Sequence, residues 1–185
     1  WPTNRSSRAI DCRRSLVSNI RPPVVKPPPR RISTIPKVIC STDFGNTWAT
    51  QTFSSLGEDL GIGSDIVTDA AGNVYYFWPA FNSRTIRLRK STNGGQSFGA
   101  TTVVANTNDG YDFAIPAMES RRAFIYVGAE ADLSNGPYRN SVYAAWTDTY
   151  GPEQGSPSAN HARIQVGYSR DGGATWTMTT PHAIA

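Results

Sequence analysis

Apolar and polar residues alternate with period two in three short stretches. Ile86 and Leu88 alternate with Arg87 and Arg89. Ile164, Val166 and Tyr168 alternate with Arg163, Gln165 and Gly167. Val38 and Cys40 hold the same phase. Such alternation predicts strands with one buried face. Two denser apolar runs lie upstream, Asn73–Trp78 before the Ile86–Arg89 stretch and Ser141–Trp146 before the Arg163–Tyr168 stretch. Each predicts a strand that ends on its Trp and passes through a loop into the alternating strand. Helix signals are poor, because Leu is scarce and Gly, Thr, Ser and Asn interrupt every candidate window.

Each alternating strand runs into the same eight-residue pattern. Its copies are Ser41–Trp48, Ser91–Phe98 and Ser169–Trp176, with the template Ser-x-Asp/Asn-x-Gly-x-Ser/Thr-Trp/Phe. Asp or Asn at the third position accepts from backbone N–H groups ahead of it. Gly at the fifth supplies a positive φ at little cost. The closing aromatic returns to the core. Each octet is therefore predicted to be a hairpin corner, and the unit reads strand, loop, strand, octet, strand. Consecutive antiparallel units of this size fit the blades of a β-propeller.

Charge divides the chain. Residues 1–40 hold nine Arg and Lys against Asp11 alone, and the rest hold nine basic against thirteen acidic residues within a net +4. Seven of the thirteen prolines fall in residues 1–36. The expected organisation is a basic, proline-rich, poorly ordered leader over 1–36, followed by blades over 37–185. The leader has no aromatic for base stacking apart from Trp1, so no nucleic-acid partner is expected. No run of 18 apolar residues suits a membrane-spanning helix. No charged start followed by an apolar stretch suggests a signal peptide. Cys12 and Cys40 leave two readings open, a buried thiol at Cys40 or a disulfide between them.

The octets resemble the Asp-boxes, or BNR repeats, of the sialidase superfamily. Ser41–Trp48 and Ser169–Trp176 match in full, while Ser91–Phe98 has Asn93 for Asp and Phe98 for Trp. The resemblance covers residues from about 36 to 185. It implies an all-β fold, a β-propeller of the sialidase type with about three four-stranded antiparallel blades. Family members close a six-bladed ring, so this ring is incomplete, and the other blades would come from a longer parent chain or an assembly. The resemblance gives the octet residues (Ser41, Asp43, Gly45, Trp48, Ser91, Asn93, Gly95, Phe98, Ser169, Asp171, Gly173, Trp176) a structural role.

The resemblance also implies a glycan-recognising protein, secreted or at the cell surface, with carbohydrate as its partner. Sialidases clamp a carboxylate with arginines, the first in a Phe/Tyr-Arg-Ile/Leu-Pro motif. The matching stretch here is Phe113-Ala114-Ile115-Pro116, and Ala114 cannot bind a carboxylate. No catalytic residue is assigned, and membership of an exo-glycosidase is left open. The alternative is a non-catalytic propeller scaffold for protein–protein interaction. Expected glycan contacts are Trp78, Trp146, Asp148, Tyr150, Glu153 and His161, in two loops that should emerge on one face. Ring stacking and hydroxyl bonding suit sugars. Asp109 and Asp112 read as a turn rather than a calcium loop. His161 and His182 have no metal-spaced partners, so no metal and no cofactor are expected.

Overall fold

The computed structural model describes residues 36–41, 43–53, 61–118, 120–149 and 161–179. Residues 1–35, nearly all of the expected leader, lie outside this set, as do Tyr150 and Glu153. Twelve strands and one short 3-10 turn, Pro116–Met118, account for the regular structure among the described residues.

Two sheets have four antiparallel strands each. The first joins β3 (Asp65–Thr68), β4 (Val74–Ala80), β5 (Thr85–Ser91) and β6 (Thr102–Asn106) in sequence order. The second joins β9 (Val127–Ala131), β10 (Val142–Thr149), β11 (Ala162–Ser169) and β12 (Thr177–Thr179) in the same way. Upstream, β1 (Lys37–Cys40) pairs with β2 (Ala49–Thr52) across the first octet. A small hairpin, β7 (Asp112–Phe113) with β8 (Ala123–Phe124), bridges the two large sheets. We refer to the β1–β2 pair, the β3–β6 sheet and the β9–β12 sheet as the first, second and third blades.

The second and third blades pack face to face with their first strands adjacent, as neighbouring blades around a propeller axis do. Ala129 N donates to Asp65 Oδ2 at 2.9 Å, and Val127 N donates to the Gly63 carbonyl at 3.1 Å. These two bonds tie the start of β9 to the start of β3.

Because β4 lies between two neighbouring blades, both of its faces are buried. Tyr75 and Phe77 join Ile86, Leu88, Val127, Val142, Ala144 and Trp146 in the core shared with the third blade. Tyr76, Trp78 and Ala80 join Val38, Cys40 and Phe53 in the core shared with the first. The continuous apolar run 74–78 is thus the signature of a strand covered on both sides.

Three features differ from the sequence expectations. Neither Trp ends its strand, since β4 continues to Ala80 and β10 to Thr149. Arg89 is not simply exposed. Its guanidinium stacks on Phe53 at 4.9 Å and donates to the Phe53 carbonyl at 3.1 Å, bridging two blades. The Ile164–Val166–Tyr168 face, expected to be buried, lies open, with Ile164 50% exposed. Cys40 is buried, and Cys12 lies outside the described residues.

The octets are hairpin corners, between β1 and β2 in the first blade and between the third and fourth strands of the second and third. The Ser hydroxyl donates to the third-position side chain at 2.7–2.8 Å and accepts the fifth residue's N–H at 2.7–2.8 Å in every copy. The third-position oxygen also accepts the seventh N–H, from Thr47 at 2.8 Å, Ser97 at 3.0 Å and Thr175 at 2.9 Å. Positive φ occurs at the fourth position as well as the fifth. Phe44, Gly94 and Gly172 have φ of 59°, 67° and 70°. Two successive residues therefore take positive φ, the second always glycine, a requirement the template did not reveal because Phe44 masks it.

Candidate functional site

The strand registers define two rims. Val74 pairs with Ser91 and Val142 with Ser169, so β4 and β10 both start at the octet rim. Ala80 pairs with Thr85 and Thr149 with Ala162 at the other end. The ends of β4 and β10 and the starts of β3 and β9 therefore share one rim, opposite the octets. Of the two loops expected to emerge together, the strand ends that flank both fall on this rim, and residues 150–160 of the second lie outside the described residues.

The residues singled out in the sequence divide at this rim. Trp78 is 1% and Trp146 3% exposed, each within an inter-blade core. Neither presents a ring face to a ligand, which corrects their reading as contact residues. A large aromatic in a central strand stabilises most when covered on both faces. Asp148, also 1% exposed, is turned inward. Its carboxylate accepts the backbone N–H groups of Asn108 (2.9 Å), Asp109 (3.3 Å) and Thr149 (2.8 Å). It anchors the 107–110 segment rather than facing solvent. Burial pushes its carboxyl up from the usual range, and those N–H groups oppose the rise. His161 is exposed at the loop rim. Tyr150 and Glu153 lie outside the described residues.

Ala114 follows β7 and is half-buried. Arg122 sits nearby on the same hairpin. Its Nε lies 2.8 Å from Asp112 Oδ2, and its Nη2 donates to the Asp112 carbonyl at 2.9 Å. Arg139 belongs to the β9–β10 connection at the octet rim. It is spent on Leu133, Ser134 and Asn135, within its own loop. Among the described residues no group of three His, Cys, Asp or Glu side chains could hold a metal ion.

An unforeseen group does gather at the loop rim. Phe81, from the turn after β4, lies 4.2 Å from Tyr111, ring centre to ring centre. Tyr111 lies 5.6 Å from Phe124 and 6.1 Å from Tyr126. Phe124 and Tyr126 are 6.0 Å apart with their planes inclined by only 14°. Both are about half exposed. They project outward because Ile125 and Val127, which alternate with them, point into the core. Tyr126 also covers Gly63, where a side chain would collide with the ring. Burial pushes the Tyr111 hydroxyl up, out of its ordinary range. The alternation Phe124-Ile125-Tyr126-Val127 was readable in the sequence. Its meeting with Phe81 and Tyr111 was not.

Fold and rim together define an all-β protein of propeller-type blades with a partly exposed aromatic surface at the axial end of one inter-blade seam. No known family matches the chain, and no curated protein does. Among solved structures it is similar to Hadza microbial sialidase Hz136, at 14% identity and a TM-score of 0.41. That match covers 64% of this chain and 25% of the sialidase, so the chain spans a minor part of that protein's length.

Proposed function

We propose that the chain is part of a sialidase-like propeller that recognises carbohydrate at the loop rim. The observation that carries this reading is the pair Phe124 and Tyr126, nearly parallel and half exposed beside Tyr111 and Phe81. Two adjacent ring faces offer a flat apolar surface to the C–H face of a sugar, and polar side chains at its edge serve the hydroxyls. Asp112 and Arg122 supply such groups, with His161 on the same rim and Tyr150 and Glu153 in the connection after β10. Ala114 removes the first carboxylate clamp, so neutral sugars are favoured over sialic acids. A secreted or cell-surface location suits this role.

The test is a glycan array probed with the full chain, followed by titration of any hits. Binding to neutral glycans that Phe124→Ala and Tyr126→Ala each weaken about tenfold, with melting temperature held, supports the reading. A correctly folded chain that binds no glycan sinks it.

A further inference from the structure

The third position of the octets is a carboxylate twice and an amide once. In the first and third copies the Thr47 and Thr175 hydroxyls donate to Oδ2 of Asp43 and Asp171. In the second copy the Asn93 amide nitrogen takes that place and donates to Ser97 Oγ at 2.9 Å. The bonds made by the Ser hydroxyl and by the inner third-position oxygen are common to all three turns. Asn93 therefore stands where the same turn accepts Asp.

Asn93 precedes Gly94, and the chain has one other Asn-Gly pair, Asn135-Gly136. Asparagine is chemically labile, and a following glycine puts no side chain in the way of attack by its own nitrogen. The fold holds the two pairs differently. Asn93 is exposed, and its side chain folds forward over the turn. Its Oδ1 accepts the Ser91 hydroxyl at 2.8 Å and the Ser97 N–H, four residues on, at 3.0 Å. Two donors on this oxygen draw charge from Cγ and face the atom that turns negative when a nucleophile adds there. The Gly94 N–H has no acceptor among the described residues. Gly136 N–H, by contrast, donates to Ser134 Oγ at 3.1 Å, which holds its proton, and Asn135 Oδ1 is tied to Arg139 Nη1 at 2.8 Å.

We infer that Asn93 is a self-modification site, at which the second octet converts to the carboxylate form of the other two. Gly94 N loses its proton to solvent and attacks Asn93 Cγ. The Cγ–Nδ2 bond breaks, and ammonia leaves with a proton from water, giving a cyclic imide. Water then adds at Cγ and breaks the new Cγ–N bond, which restores the Gly94 N–H and leaves aspartate at position 93. Addition at the backbone carbonyl carbon would instead lengthen the main chain by a methylene. The bond from Gly95 N–H to Ser91 Oγ, at 2.8 Å, and those from Gln51 to the Gly95 and Gln96 carbonyls, at 2.9 and 2.7 Å, fit a main chain of normal length. Aspartate is thus the product that the folded turn retains. The Ser97 hydroxyl then turns to donate to it, as Thr47 does to Asp43, in a charge-assisted bond.

Peptide mapping of the full chain, warmed at mildly alkaline pH beside a sample in urea, tests this. In urea the two Asn-Gly pairs should lose ammonia at similar rates. In the native chain Asn93 is expected to outpace Asn135 by about tenfold, a small part of what aligned oxyanion donors contribute in enzymes. An endoprotease that cuts before aspartate should gain a site at position 93. The Ser97 amide resonance should give way to one that coincides with that of the Asn93→Asp variant and moves in acid. Asn93 left intact in the native chain while the urea sample reacts overturns the inference. So do equal native rates at Asn93 and Asn135, and isoaspartate as the product.

Discussion

Lys90 Nζ donates to the Gly172 carbonyl at 3.0 Å across 82 residues of sequence. The bond joins the third strand of one blade to the octet of the next. An octet is therefore more than a turn brace, because its glycine pair is the surface on which the preceding blade sits. Gly173 has φ of 89°, and a Cβ placed on it would come within 2.9 Å of Leu88 Cδ2. Gly45 has the same φ, but a Cβ there meets only Trp48 of its own turn, at 3.6 Å. The pair separates the two roles. Gly45→Ala is expected to cost about 1–2 kcal/mol, the left-handed backbone penalty alone. Gly173→Ala adds about 1–3 kcal/mol for overpacking the seam. Equal losses in urea unfolding of the two variants would show that the seam contact contributes nothing.

Tyr75 donates to Asp69 Oδ2 at 2.9 Å. Asp69 in turn holds the β3–β4 turn by accepting from Ala71 N and Asn73 N at 3.0 and 2.9 Å. Burial, followed by the neighbouring carboxylate, pushes the Tyr75 hydroxyl up beyond its ordinary range. Tyr75→Phe keeps the ring in the seam and removes one bond to a buried carboxylate that keeps other partners. The expected loss is about 1–2 kcal/mol. Hydrogen exchange of the Ala71 and Asn73 amides should quicken with it. A variant as stable as wild type would deny the hydroxyl any structural role.

Strand identity was legible because a period-two pattern can be read without knowing what covers each face. Tyr75 and Tyr76 show where legibility stopped. They are adjacent, equally apolar and both buried, yet they belong to different cores. Only the position of β4 between two neighbours explains why both are covered. The third blade gives the opposite case. Ile164, Val166 and Tyr168 have the pattern of a buried face and remain open, because a sequence pattern records a face's suitability for burial and not the presence of a partner. The burial of Trp78 and Trp146 was hidden for a related reason. Trp78 and Trp146 drew notice as large aromatics at apparent strand ends, but both strands run on past them. Phe124 and Tyr126 looked unremarkable until three separate segments met at the rim.

Asp148 serves three backbone donors of the loop rim, at Asn108, Asp109 and Thr149. Asp148→Ala leaves these N–H groups without that acceptor, and a loss of about 3 kcal/mol is expected from buried donors of this kind. Asp148→Asn keeps one accepting oxygen and should lose less. Because burial raises the folded carboxyl above its unfolded range, ionisation opposes folding above the folded value. That penalty is relieved as pH falls through it. Asp148→Asn should therefore flatten a stability increment that wild type gains on mild acidification. Identical pH dependence in the two proteins would place the titrating group elsewhere.

The octets should titrate in the opposite sense, with a control inside the same chain. Hydrogen bonds from the Thr47 side chain and backbone and from Ser41 hold the Asp43 carboxyl down at about 2, against 3.8 for an ordinary Asp. The equivalent donors, Thr175 and Ser169, hold Asp171 down still further. A depressed folded value means a contribution fully present above the ordinary value and lost as pH falls through the folded one. For Asp43 the window is from 3.8 down to about 2. The third-position residue of the second octet is Asn93, which does not titrate, and its side-chain amide donates to Ser97 Oγ at 2.9 Å where a carboxylate would accept. The Thr47, Thr175 and Ser97 amides each donate to the third-position oxygen of their own octet. In an acid titration followed by amide resonances, Thr47 should shift with a midpoint near 2 and Thr175 lower still, while Ser97 stays in place. A Thr47 midpoint at the ordinary value, or a Ser97 shift of equal size, would show that the octet carboxylates are not held by these bonds.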